Sequence, residues 1–217
     1  MLRVGLIESN NLLRSGRSLL IGSQPDLQIV FEESNPKSAL ERVGDYLVDV
    51  LVVNIKQHGY AGAAYITALR ETLKSTGNKS SVLGFANFFS DETYREAILA
   101  GADDFVGMDA DAVEFLSKMK LVSRADYRIE QKQLEKLFRK NSQLMVKARE
   151  LEVALGALEP WQRNVTKRFL RGESDAAIAK EFDLARTRVS QTIKSLEEAG
   201  SVYTRNQLAI ALMGKVS

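Results

Sequence analysis

Short, nearly continuous apolar runs alternate with amphipathic stretches through the first half of the chain. Arg3-Val4-Gly5-Leu6-Ile7, Leu27-Gln28-Ile29-Val30-Phe31, Val48 to Val53, Ser81 to Phe85 and Asp104-Phe105-Val106 have the length and apolar content of strands buried on both faces. Between them, the segment carrying Leu12, Leu13, Leu19 and Leu20, residues 36–44, Ala63 to Leu73 and Glu92 to Ala100 read as helices, and Lys74 to Ser80 as a polar loop. This alternation predicts a doubly wound α/β domain with a five-stranded parallel sheet over residues 1–122. In such sheets function collects beyond the carboxyl ends of the strands. Those ends are Glu8-Ser9, Asn54, Ala86 and Gly107-Met108.

The pattern changes after residue 110. Residues 111–157 hold no Pro, and no Gly before Gly156, which predicts one or two long connector helices. From Leu134 a heptad spacing emerges, with Leu134, Asn141, Ala148 and Leu155 at one position and Leu137, Leu144, Leu151 and Leu158 at the other. Leu at d with a single Asn at a is what a parallel two-stranded coiled coil uses to fix register. Leu137, Asn141, Leu144 and Leu151 are therefore expected to carry a homodimer contact over about three heptads. The competing reading is an amphipathic helix packed on its own domain, with the same stripe as core.

Residues 158–217 read as a compact helical domain. Ser174 stands where an N-cap would accept a backbone N–H, and Ala177, Ile178 and Phe182 follow at helical spacing. After a short break at Asp183-Leu184-Ala185, a second helix carries Val189, Ile193 and Leu196 on one stripe. Thr187, Ser190, Gln191, Lys194 and Glu198 fall on the opposite side. Two short helices joined by a tight turn form a helix-turn-helix unit, whose second helix enters the DNA major groove. Gln191 can pair with adenine, Lys194 with guanine and Ser190 with several base edges. Arg186 and Arg188 at the N-terminal end, together with Lys180, are placed for phosphates, which position without specifying. The bland alternative is a helical hairpin with a solvated polar face.

Composition narrows the classes. The 217 residues suggest one or two domains, and the chain has no Cys, which excludes disulfides and thiolate metal sites. The single His58 cannot form a His cluster. No run approaches the roughly 18 apolar residues of a membrane span, and Met1-Leu2-Arg3 leads straight into a strand, so neither span nor signal peptide is expected. The cytoplasm is the expected location. A net charge of +2 hides an asymmetry: residues 1–122 hold 12 of the 30 Lys and Arg but 16 of the 28 Asp and Glu. The basic excess therefore lies with the helix-turn-helix, as binding to DNA phosphates requires.

The C-terminal segment resembles the DNA-binding domain of the NarL/FixJ (LuxR-type) response regulators. Leu158-Glu159-Pro160 matches the opening Leu-Thr-Pro of that family, Gly172 and Ser174 its Gly-Leu-Ser, Ile178-Ala179 its Ile-Ala, Val189 the Val of Thr-Val, and Arg205 the Arg of Asn-Arg-Thr. Gln162, Ala185 and Arg188 depart from the usual Glu, Ser and Thr. The resemblance implies base reading by Ser190, Gln191 and Lys194, with double-stranded DNA as the partner. Ser195 to Val202 also looks like the end of a winged-helix recognition helix and the start of a wing. Asn206 to Met213, however, reads as a fourth helix rather than a second wing strand.

Residues 1–122 resemble the receiver domain of response regulators. Val48 to Val53 precede the acceptor position, Gly59 and Gly62 lie in the following loop, and Ile98-Leu99-Ala100-Gly101-Ala102 is similar to the family's Ala-Gly-Ala. The family's chemistry requires two acids for Mg²⁺, an Asp nucleophile, a Thr or Ser hydroxyl and a Lys. This chain offers Glu8 and Ser9, then Asn54, Ala86 and Met108, and only Glu8 keeps the required group. An amide lacks the carboxylate charge that an aspartyl phosphate needs, and Glu8 with an amide carbonyl is a poor Mg²⁺ site. The expectation is a degenerate acceptor pocket that takes no phosphate, with no cofactor and no enzymatic activity, leaving that face open to an unknown ligand or protein. A slipped alignment would instead make Asp49 or Asp103 the acceptor. Three classes follow: a DNA-binding regulator, a phosphotransfer switch working through the receiver, and an interaction scaffold whose helix-turn-helix has lost DNA.

Overall fold

A computed structural model describes residues 1–56, 62–86, 90–107, 109–139, 148–213 and 215. The chain forms two compact units, Met1–Tyr127 and Arg128–Ser217.

In the first unit β1 Leu2–Ile7, β2 Leu27–Glu33, β3 Val50–Asn54, β4 Ser81–Ala86 and β5 Asp104–Gly107 pair in parallel, in the order β2-β1-β3-β4-β5. Helices α1 Asn11–Gly22, α2 Pro36–Arg42, α3 Gly62–Ser75, α4 Asp91–Ala100 and α5 Ala112–Val122 connect and follow them. The period of two in β3 decides both faces. Val50 and Val52 join Ile21 of α1 and Phe115, Met119 and Val122 of α5. Leu51 and Val53 join Ala39 of α2 and Tyr65, Leu69 and Leu73 of α3. Burial on two sides is why this run is uninterruptedly apolar. Asn10, Asn35, Ser90 and Asp111 cap α1, α2, α4 and α5 through their side-chain oxygens. Gly101 closes α4 at φ +113°, a left-handed position that favours glycine, which accounts for the Gly of Ala100-Gly101-Ala102.

Two acids that could have been phosphoacceptors are occupied. Asp49 lies just before β3, at its amino end, and accepts from Arg3 Nε at 3.1 Å and Nη2 at 2.6 Å. The Arg3 guanidinium holds the Asp49 carboxyl below its ordinary range. Asp103, just before β5, accepts from Arg70 Nη2 at 2.5 Å and from the Val82 amide at 2.7 Å. Both sit opposite the carboxyl ends where the sheet would do chemistry.

The second unit contains α6 Gln131–Arg139, α7 Ala148–Gly156, α8 Pro160–Leu170, α9 Asp175–Glu181, α10 Arg186–Gly200 and α11 Arg205–Leu212. The expected connector is corrected here. Residues 123–130 are not helical, and the boundary falls after Tyr127 instead of at residue 122. The reason is a buried carboxylate: Asp104, fully buried, accepts from the Tyr127 hydroxyl, from Lys118 Nζ at 2.6 Å and from the Tyr94 hydroxyl at 3.1 Å. That network ties the chain to the first unit as far as Tyr127. Beyond it, Ile129 is buried and its amide donates to Asn206 Oδ1 at 3.0 Å. The α6 helix packs on α11 and α7 on α10, so the boundary expected at residue 157 is no division at all. Leu134 and Leu151 are both completely buried within this unit. These two positions are core of their own chain, which corrects Leu151 as a dimer contact. Leu137 lies on α6, while Asn141 and Leu144 fall outside the described residues.

Among the described residues no helix is long and apolar enough to cross a membrane, and no cluster of His, Cys, Asp and Glu could hold a metal ion.

Candidate nucleic-acid interface

The α9–α10 pair is built as its sequence pattern requires. Ser174 Oγ accepts from the Ala177 amide at 3.2 Å and starts α9. Gly172, at φ +89°, supplies the left-handed turn that ends α8. Asp183 takes φ +52° in the turn between α9 and α10, where the Leu184 amide reaches back to the Ala179 carbonyl at 2.9 Å. The α10 N-cap is Ala185, which makes no side-chain cap bond.

Val189, Ile193 and Leu196 of α10 are buried, and each such side chain contributes about 1.5–3 kcal/mol relative to exposure. Thr192 is buried too, but satisfies its hydroxyl on the Arg188 carbonyl at 3.0 Å. The opposite face carries exposed Arg186, Thr187, Arg188, Gln191 and Lys194, while Ser190 is half-buried. Lys180 is exposed in the last turn of α9. Thr187, Gln191, Lys194 and Glu198 form one stripe, and Lys194 Nζ lies 3.7 Å from Glu198 Oε1. Gln191, which can donate and accept in one bidentate contact, stands mid-stripe.

Arg188, expected to contact phosphates, also makes a contact within its own unit. Its guanidinium carbon lies 4.6 Å from the centroid of the Trp161 ring, on α8. Sequence reasoning passed over Trp161. The signal available was the chain's single tryptophan, close to the start of a helix and beside a basic segment.

A bidentate ion pair locks the domain behind this face. Arg205 Nη1 and Nη2 each lie 2.8 Å from an oxygen of Asp175, and both side chains are buried. This pair joins the first turn of α11 to the first turn of α9 and explains the Arg shared with the family pattern. Arg128 stacks on the Phe169 ring at 4.9 Å and donates to the Phe169 carbonyl. Burial, reinforced by the like charge of Arg205, pushes the Arg128 guanidinium down to about 10. Because α11 is a helix where a second wing strand would stand, the winged-helix reading does not hold.

At the carboxyl ends of β1 and β3, Glu8 is fully buried and Asn54 nearly so. Glu8 Oε1 accepts from the Asn10 amide at 2.7 Å, and Oε2 from Asn54 Nδ2 at 2.9 Å. Asn54 Oδ1 accepts from the Lys56 amide at 2.9 Å. Ala86 is buried at the end of β4, Ser9 is half-buried, and Met108 lies outside the described residues. Arg17 of α1, also passed over by sequence reasoning, lies 3.9 Å from the Phe85 ring centroid. Burial lowers its pKa, while nearby Glu8 opposes that shift. The pocket satisfies Glu8 internally, from an amide side chain and a backbone N–H.

A receiver-type parallel sheet followed by a helical domain with a helix-turn-helix is an architecture found in response regulators. No family model matches the chain. It is 22% identical over 205 residues to the nitrate/nitrite response regulator NarL of Escherichia coli K12, covering 94% of this chain and 92% of the relative. It is 25% identical over 210 residues to the DNA-binding transcriptional activator DevR/DosR of Mycobacterium tuberculosis, covering 97% and 93%. Among solved structures, the RcsB response regulator of Salmonella typhimurium superposes with a TM-score of 0.53 at 14% identity, covering 93% of this chain and 92% of that one. The relatives are thus response regulators of the NarL/LuxR type, DNA-binding activators among them, and the fold is theirs.

Proposed function

We propose that the chain is a sequence-specific, DNA-binding transcriptional regulator that acts as a homodimer and works without phosphorylation. The observation that carries the proposal is the division of α10: Val189, Ile193 and Leu196 are buried, while Thr187, Gln191 and Lys194 are exposed along one line. A helix so divided presents polar side chains to base edges while its other face holds the domain together. The relative named a DNA-binding transcriptional activator supports the same reading.

Phosphate independence is supported by the groups at the acceptor face. Asn54 is an amide, Ala86 has no hydroxyl, and both oxygens of Glu8 already accept hydrogen bonds. The receiver-like unit then serves as a docking face for a ligand or protein, and the chain works in the cytoplasm, without cofactor and without enzymatic activity of its own. Dimerisation is proposed because readers of this kind occupy paired half-sites. Selection of bound fragments from fragmented genomic DNA tests the proposal. Enrichment of a common, inverted-repeat motif supports it, whereas recovery of random fragments favours a scaffold role.

A further inference from the structure

We infer that Trp161 is a positioning residue of the DNA interface, holding the Arg188 guanidinium in place with its charge intact for a backbone phosphate. The inference rests on the DNA-binding reading and adds to it a residue outside the helix-turn-helix.

Trp161 follows Pro160 in the first turn of α8, is half-buried, and presents its ring to α10. Arg188 lies in the first turn of α10, exposed, with its guanidinium carbon 4.6 Å from the ring centroid. That separation is within the range at which an indole face attracts a guanidinium, and Arg on Trp is the strongest common form of the contact.

The means of ordering matters more than the ordering itself. Elsewhere in the same unit, arginines are fixed by carboxylates: Arg205 by Asp175, and Arg168 by Glu173 and Glu181. A carboxylate neutralises the charge it fixes, and a neutralised arginine attracts a phosphate weakly. An aromatic face fixes the plane of the guanidinium and leaves the unit charge. Among the described residues the Arg188 guanidinium has no hydrogen-bond acceptor, so its N–H edges stay free for an outside anion. A guanidinium held in one plane offers two parallel donors, the arrangement that grips a phosphate bidentately. An unsupported arginine would lose more side-chain entropy on reaching the same geometry.

The chemistry sorts this contact by type. Arg188 sits at the N-terminal rim of the helix, off the Thr187–Gln191–Lys194 stripe, so its target is backbone and not base. Loss of Trp161 must then weaken cognate and scrambled duplexes alike, and only through Arg188.

The test uses the full-length protein and fluorescein-labelled cognate and scrambled duplexes at several salt concentrations. Trp161→Ala, Trp161→Leu, Trp161→Phe, Arg188→Ala and the Trp161→Ala/Arg188→Ala double variant are compared, each with its thermal melt. Trp161→Ala and Trp161→Leu are expected to weaken both duplexes roughly two- to fivefold, and Trp161→Phe to recover most of the loss. In the double variant Trp161→Ala must add nothing to the loss caused by Arg188→Ala. Should Trp161→Ala fail to fold, Trp161→Leu carries the comparison, because it keeps apolar bulk without a π face. Three results overturn the inference: wild-type affinity in the leucine variant, no recovery by phenylalanine, or additive losses in the double variant. In each of these the wild type still binds DNA, and the DNA reading survives. A wild type that binds neither duplex removes both.

Discussion

Asn54 Nδ2 donates to Glu8 Oε2 at 2.9 Å, joining two buried side chains across the carboxyl ends of neighbouring strands β1 and β3. The amide therefore has a structural role at the carboxyl end of β3. Asn54→Asp replaces a donor by a second acceptor and sets two carboxylates at contact distance. We predict a stability loss of about 1.5–3 kcal/mol at neutral pH, the usual size of a hydrogen bond to a charged group, with like-charge repulsion adding to it. Adding Glu8→Gln restores a donor facing Asp and should recover most of the loss. Urea unfolding of the two variants checks this, and an Asn54→Asp protein as stable as wild type would contradict it.

The same pocket bears on phosphorylation. Incubation with acetyl phosphate is expected to leave the intact mass unchanged and the DNA affinity unaltered. Asn54→Asp alone should gain little, since Ala86 still offers no hydroxyl. A phosphoryl adduct on the native receiver-like unit, seen by intact-mass spectrometry, defeats the proposal.

Much of the fold was legible in the chain because burial on both faces leaves a simple mark. The β3 run needs no alternation, since Val50 and Val52 face one helical layer and Leu51 and Val53 the other. Helix α10 was legible for the opposite reason: Val189, Ile193 and Leu196 recur at 3.6-residue spacing against a polar face. What the spacing could not tell was which surface covers Leu134 and Leu151. Leu134 and Leu151 satisfy a heptad, and a heptad of leucines packs equally well on a second chain or on α10 and α11 of its own. Periodicity tells which side of a helix is buried, not what buries it. In α1, Leu12 and Leu19 belong to the apolar spacing that marked the helix, yet they are 81% and 76% exposed. Contacts distant in sequence, such as Trp161 with Arg188, leave no periodic trace.

The buried pair Asp175–Arg205 gives a stability prediction for the second unit. Removing one partner leaves the other charge buried without compensation, which costs about 3–5 kcal/mol. Asp175→Ala should lower the melting temperature of the helical unit and abolish DNA binding through unfolding. Circular dichroism melts of the full-length variant read it out, and an unchanged melt would show that solvent or another group replaces the carboxylate.

For the oligomeric state, we predict a dimer by light scattering at micromolar concentration. We propose Leu144 as a contact between chains, so Leu144→Lys should give monomers with an unchanged melt. Leu151→Lys is expected to do something different: it forces a charge into the protein's own core and should unfold the helical unit. A dimer that survives Leu144→Lys but is lost on Leu12→Lys or Leu19→Lys would move the contact to α1.

The central claim is that α10 reads DNA sequence, and binding of Gln191→Ala and Lys194→Ala to cognate and scrambled duplexes at several salt concentrations tests it most directly. Each substitution should cost about 1–3 kcal/mol on the cognate duplex and little on the scrambled one. Arg186→Ala and Lys180→Ala should instead weaken both duplexes nearly equally and reduce the salt slope by roughly one unit each. If Gln191→Ala and Lys194→Ala weaken the two duplexes equally, or change neither while the wild type still discriminates, α10 is not the reader.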